Sequence, residues 1–130
     1  MNVKILVSLF VLAAAGCASM QTEIIRDPGA IDSITVGRFT TRNPVDDELI
    51  GSYLRKELAR QGFRVVDDSP YTLSGAIDVH PFYFYITEAK IVLNEERFVI
   101  WFYEHRFGWI KGRKDFARYM AKEIAETISQ

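Results

Sequence analysis

The first seventeen residues constrain this chain more than any other stretch, because they decide what is left to fold. Met1-Asn2-Val3-Lys4 is a short basic start, and an apolar run follows from Ile5 to Ala15, broken only by Ser8. It narrows to small residues at Ala13-Ala14-Ala15-Gly16 before Cys17. A charged start, an apolar stretch of about 7–15 residues and a small-residue cleavage site describe an export signal. The run is too short to span a bilayer, which takes roughly 20 apolar residues. Removal of residues 1–16 from a chain of 130 leaves 114, enough for one ordinary domain. Cys17 is the only cysteine, so no disulfide can form within the chain and the fold must stand on packing.

Ala14-Ala15-Gly16-Cys17 resembles the lipobox of bacterial lipoproteins, with Ala14 where leucine is commoner. The resemblance implies cleavage before Cys17, lipid on its sulfur and usually a further acyl chain on the new amine. The membrane is then a partner through Cys17, since several acyl chains hold where one would exchange. Ala18, where an aspartate would mark inner-membrane retention in the enterobacterial pattern, points to the periplasmic face of the outer membrane rather than to the inner membrane.

Without Lys4 the mature chain carries 15 basic and 17 acidic residues, which gives no electrostatic basis for binding nucleic acid. Ala18 to Gly29 reads as a polar tether ending in the turn Asp27-Pro28-Gly29, in which Glu23-Ile24-Ile25-Arg26 can pair as a short edge strand. The expected organisation is a signal over 1–16, a lipidated N-terminus and tether over 17–30, and one domain over 31–130.

Within that domain the pattern predicts a first strand over 31–41, with Ile34, Val36 and Arg38 on one face and Thr35, Gly37 and Phe39 on the other. Asn43-Pro44 opens a helix: Asn43 can cap it, and proline at the first position loses no hydrogen bond. Asp46, Asp47 and Glu48 suit the positive end of its dipole. Leu49, Ile50, Tyr53, Leu54 and Leu58 form its apolar face, and Gly62 ends it. Short strands follow at 63–66 and 71–79, with Tyr71, Leu73, Gly75, Ile77 and Val79 on one face of the second. Gly75 marks a bulge or a close backbone approach.

After His80-Pro81 an antiparallel hairpin is expected, turning at Asn94-Glu95-Glu96-Arg97. In its last strand, expected over 98–107, Val99, Trp101, Tyr103, His105 and Phe107 share one face, and Phe98, Ile100, Phe102, Glu104 and Arg106 the other. A closing helix from about Lys114 to Ile128 carries Phe116, Met120, Ile124 and Ile128 every four residues, beside Ala117, Ala121 and Ala125. Two amphipathic helices against one face of a mixed sheet of about four to six strands make a two-layer α+β sandwich.

Three stretches carry a further resemblance: Ile34-Thr35-Val36-Gly37-Arg38-Phe39, Leu54 through Gly62-Phe63-Arg64-Val65-Val66, and Tyr71-Thr72-Leu73-Ser74-Gly75-Ala76-Ile77. Together they resemble small envelope lipoproteins of the lipopolysaccharide-assembly kind and the periplasmic module of curli-secretion-type lipoproteins. The likeness covers roughly Ile34 to Ile77 plus the closing helix. It implies the α+β fold and an envelope-assembly setting, and it carries no functional residues across.

No His-x-x-x-His, cysteine pair or glycine-rich phosphate loop occurs. His80 beside Pro81 reads as a turn residue, His105 as a strand residue, and Asp67-Asp68 and Glu95-Glu96 as solvated turns. No catalytic residue, metal site or cofactor is therefore expected.

The feature to single out is aromatic. In Phe82-Tyr83-Phe84-Tyr85 one alternating pair can enter the core while the other is displayed. Tyr83, Tyr85, Trp101, Tyr103 and Trp109, with Lys111 and Arg113 nearby, form the candidate surface for a partner or ligand. The plainer alternative is that the rings fill a small core. Two functions fit. One is a non-catalytic interaction or assembly module docking an envelope protein; the other is a binder of a lipid, lipopolysaccharide or glycan in an aromatic-lined pocket.

Overall fold

The computed structural model describes residues 18–41, 43–79, 86–105 and 112–128. The strands are β1 (Ala18–Ile24), β2 (Ser33–Thr40), β3 (Arg64–Val65), β4 (Thr72–Val79), β5 (Ile86–Leu93) and β6 (Val99–His105). The helices are α1 (Pro44–Arg60) and α2 (Gly112–Thr127). One six-stranded mixed sheet runs in the order β1-β6-β5-β4-β2-β3, and the two helices pack together on one of its faces. The strand-helix-strand unit β2-α1-β3 is parallel, as is β2 beside β4, while β4, β5, β6 and β1 pair antiparallel in turn.

Local chemistry fixes α1 at both ends. The Asn43 side chain accepts from the Val45 N–H at 3.0 Å, and Pro44 takes the first helical position. At the far end the Phe63 N–H donates to the Leu58 carbonyl at 3.2 Å and the Gly62 N–H to that of Ala59 at 3.1 Å. That pair of bonds is the Schellman closure, and it needs the left-handed backbone of Gly62, φ 103°. Gly62→Ala is expected to cost about 1 kcal/mol, because a β-carbon clashes with the following carbonyl in that conformation. Urea unfolding checks this, and an unchanged midpoint would mean that the cap carries no stability.

The core lies between sheet and helices. Ile34, Val36, Leu73, Ile77, Ile91, Leu93, Val99 and Trp101 from the sheet meet Ile50, Leu54 and Leu58 of α1 and Phe116, Met120 and Ile124 of α2. Fully burying such a side chain is worth roughly 1.5–3 kcal/mol. Ala117 and Ala121 are also fully buried, consistent with close seating of α2. The turn before β4 is latched to β2: the Ser69 N–H donates to the Thr35 Oγ1 at 3.0 Å and its hydroxyl to the Ser33 carbonyl at 3.0 Å.

Two expectations are corrected. The alternation read along β2 breaks at a register shift between Val36 and Phe39. The extra residue turns Phe39 into the core, 2% exposed, and leaves Arg38 outside. The stretch read as a tether is also structured in its first part. Ala18–Ile24 pairs over seven residues with β6, from Ala18 opposite His105 to Ile24 opposite Val99, and buries Met20. The ladder with β6 is continuous, so the residue after Cys17 already belongs to the sheet.

Candidate functional site

Of the residues expected to be displayed, Trp101 and Tyr103 are instead in the core, 0% and 2% exposed. Alternation put them correctly on one face of β6, but that is the face covered by α2. The Trp101 indole N–H donates to the Thr127 hydroxyl at 3.1 Å, which donates in turn to the Glu123 carbonyl at 2.8 Å. The Tyr103 ring meets Phe116 edge-on at 5.1 Å and Tyr119 at 5.8 Å. These rings fasten the closing helix to the sheet.

Burial raises the Tyr103 hydroxyl far above its ordinary range, with Tyr119 adding to the effect. Burial, then Glu123 and Glu126, push Tyr119 up to about 12. Both phenols stay protonated at neutral pH. Glu123 is raised chiefly by burial, then by Glu126, against a lowering by Lys122. A carboxyl raised in the native state holds its proton more tightly there than in the unfolded chain, so stability falls as pH climbs through and above its ordinary value of 4.5. Glu123→Gln is expected to raise the melting temperature at neutral pH. The gain should vanish below about pH 4, where both states are protonated. A gain of equal size at both pH values would sink the burial argument.

Arg113, in the first turn of α2, forms an ion pair with the buried Asp46 in the first turn of α1. Glu57, also buried, is met by Arg60 at 2.8 Å and Arg118 at 3.8 Å. The two carboxylates brace the helix pair, and Arg113 serves as a bracket within the fold. Tyr83, Tyr85, Trp109, Lys111 and Cys17 lie outside the described residues.

The surface that the sequence reading passed over is the helix-free face of the sheet. It presents Phe102 at 38% exposure among Gln21, Glu23, Asp78, Glu88, Lys90 and Glu104. Lys90 pairs with Glu96 and lies 5.8 Å from the centre of the Phe102 ring. A concavity of about 710 Å³ opens here, lined by Gln21, Thr40, Asp78, Glu88, Lys90 and Phe102 among others. The signal for it was the alternation of Ile100, Phe102 and Glu104 opposite Trp101 and Tyr103. Among the described residues no group of three histidine, cysteine or acidic side chains could hold a metal ion, and no helix is long and apolar enough to cross a membrane.

No protein-family model and no curated protein sequence matches the chain. In structure it is similar to PelC from Paraburkholderia phytofirmans, solved as dodecamers. One structure, of a point variant, has a TM-score of 0.59 at 13% identity over 87% of this chain and 99% of that one. The other has a TM-score of 0.60 at 12% identity over 85% and 96%. A DUF4136 family protein from Bacteroides thetaiotaomicron gives a TM-score of 0.45 at 9% identity over 85% and 92%. At such identities the PelC likeness speaks to the fold alone: a PelC-like α+β module.

Proposed function

We propose that the chain is a lipid-anchored, non-catalytic assembly module of the cell envelope. It is held through Cys17 at the periplasmic face of the outer membrane, with one end of its sheet toward the lipid. The observation that carries this reading is which strand ends meet. Ala18 is opposite His105, so the N-terminus of β1 and the C-terminus of β6 share one end of the sheet. Val79 is paired with Ile86, so β4 ends and β5 begins at that same end. Residues 80–85 and 106–111, which follow β4 and β6 in the sequence, include Tyr83, Tyr85, Trp109 and Lys111. Aromatic rings with a polar tip and nearby cations are the side chains that favour a membrane interface. The PelC dodecamers share this fold, which supports assembly as the setting. The described concavity is wide open to solvent, and so gives little support to an enclosed pocket for acyl chains.

The test is metabolic labelling with palmitate and membrane fractionation of the wild-type chain and Cys17→Ser. Label and outer-membrane recovery should both be lost in the variant. A variant that fractionates like the wild type would overturn the reading. Photo-crosslinkers at Tyr83, Tyr85 and Trp109, with Arg55 as control, then name what these residues touch: an envelope protein, lipid or glycan.

A further inference from the structure

Resting on the reading of the chain as an assembly module, we infer that it takes its partner as an extended acidic peptide. The peptide adds beside β2, in a groove against α1 that β3 leaves unfilled.

Three observations lead there. The first is a strand position only part occupied. β3 pairs with β2 at Ser33 and Ile34 alone. Just past β3 the Val66 N–H donates to the Ile34 carbonyl at 3.0 Å. Beyond that, no described strand lies beside residues 36–40 on the side away from β4. The Thr35 N–H donates to the Tyr71 carbonyl at 2.8 Å, toward β4, so alternation turns the Val36 N–H and carbonyl to the unfilled side. The bare run offers about 15 Å of strand at roughly 3.3 Å per residue, room for a short added segment.

The second is the groove itself. A concavity of about 430 Å³ lies between this stretch of β2 and α1, lined by Gly37, Arg38, Phe39, Glu48, Gly51 and Arg55 among others. Gly51 sits in the interior of α1, where glycine is a poor helix former. Packing does not ask for it: a β-carbon there would meet only the tip of the Arg55 side chain, at 3.8 Å and 4.0 Å. Gly37 is different. Its β-carbon would stand 2.8 Å from the Thr72 Cγ2 and 3.0 Å from the Leu73 carbonyl oxygen, so the sheet itself requires that glycine. The fold has no use for a missing side chain at position 51, whereas a strand laid against α1 does.

The third is charge. Arg38 and Arg55 are exposed on the two walls, one from the sheet and one from the helix. Among the described residues neither meets a carboxylate. Of the two acidic residues in the lining, Asp47 is already engaged, accepting from the Thr41 N–H at 2.6 Å in the first turn of α1; the other is Glu48. A carboxylate on the peptide would give either guanidinium the partner it lacks, in the forked geometry that arginine offers. Backbone bonds to β2 hold the peptide, and its carboxylates select it.

The full lipidated chain in mild detergent is titrated into a fluorescein-labelled hexapeptide of alternating valine and glutamate, and binding is read by anisotropy. The same peptide with lysine for glutamate should bind at least tenfold more weakly. In the complex, hydrogen exchange read by mass spectrometry should slow at residues 36–40. Arg38→Glu, Arg55→Glu and Gly51→Leu, each checked for folding by circular dichroism, should weaken binding at least tenfold. Lys56→Glu, on the exposed side of α1, should change nothing. No binding of the glutamate peptide, equal binding of both peptides, or protection at Phe102 and Lys90 in place of residues 36–40 would each overturn the inference. So would folded arginine variants that bind as the wild type does. Palmitate labelling of the same samples separates the two readings. A labelled chain that ignores the peptide sinks the groove and leaves the anchor reading standing, whereas an unlabelled chain that binds it sinks the anchor reading alone.

Discussion

Gly75→Ala is expected to destabilise the domain by about 3 kcal/mol, the upper part of the range for overpacking a tight interior. A β-carbon at this position would stand 2.5 Å from the Lys90 carbonyl oxygen, 3.2 Å from the Ile91 Cα and 3.3 Å from its Cγ1. The first two are main-chain atoms of β5, which is itself held between β4 and β6. No rotamer change relieves the clash; β5 must move, and it carries its pairing with β6 along. Against a total stability of about 5–15 kcal/mol for an ordinary domain, such a loss is severe. Ser74→Ala, one residue earlier and on the opposite face, should stay within about 0.5 kcal/mol. Urea unfolding of the pair checks this, and a Gly75→Ala loss below about 1 kcal/mol would mean that β4 and β5 are less closely apposed than described.

The second large effect belongs to Trp101. Trp101→Ala is expected to cost about 3–5 kcal/mol, through the cavity left between β6 and α2 and the loss of the anchor to Thr127. Its neighbour Phe102, on the helix-free face at 38% exposure, should cost under about 1 kcal/mol when truncated to alanine. Two adjacent aromatic truncations with such different penalties report which face of β6 the helices cover. If Phe102→Ala proved the costlier of the two, the sheet would be covered on its other face and the core assignment would fail.

That contrast shows where sequence reading stops. Alternation separated Trp101 and Tyr103 from Ile100 and Phe102, because the two-residue period is local. It could not say which set meets the helices, since both begin apolar and the choice depends on how α2 returns across the sheet. The elements written in local chemistry were legible: Asn43-Pro44 and Gly62 frame α1, and Phe116, Met120 and Ile124 mark the buried stripe of α2. The turn at Asn94 was legible as well. Its positive φ of 50° suits asparagine, and its side chain accepts from the Thr72 N–H at 2.7 Å and donates to the Pro70 carbonyl at 2.9 Å. Phe39 was misplaced because one bulged residue inverts everything after it. β1 read as a tether because an edge strand with one half-polar face has the composition of a linker. What holds it is β6, some eighty residues further along the chain.

The position of β1 also bears on how the domain carries load. A pull on residue 17 enters the sheet at Ala18 with no slack chain between. Directed along the strand, it is shared by the seven paired positions between β1 and β6, which must slip together. Directed away from the sheet edge, it falls on the Ala18–His105 pair first and peels the strand one pair at a time. The direction of pull therefore decides how firmly β1 is held to β6.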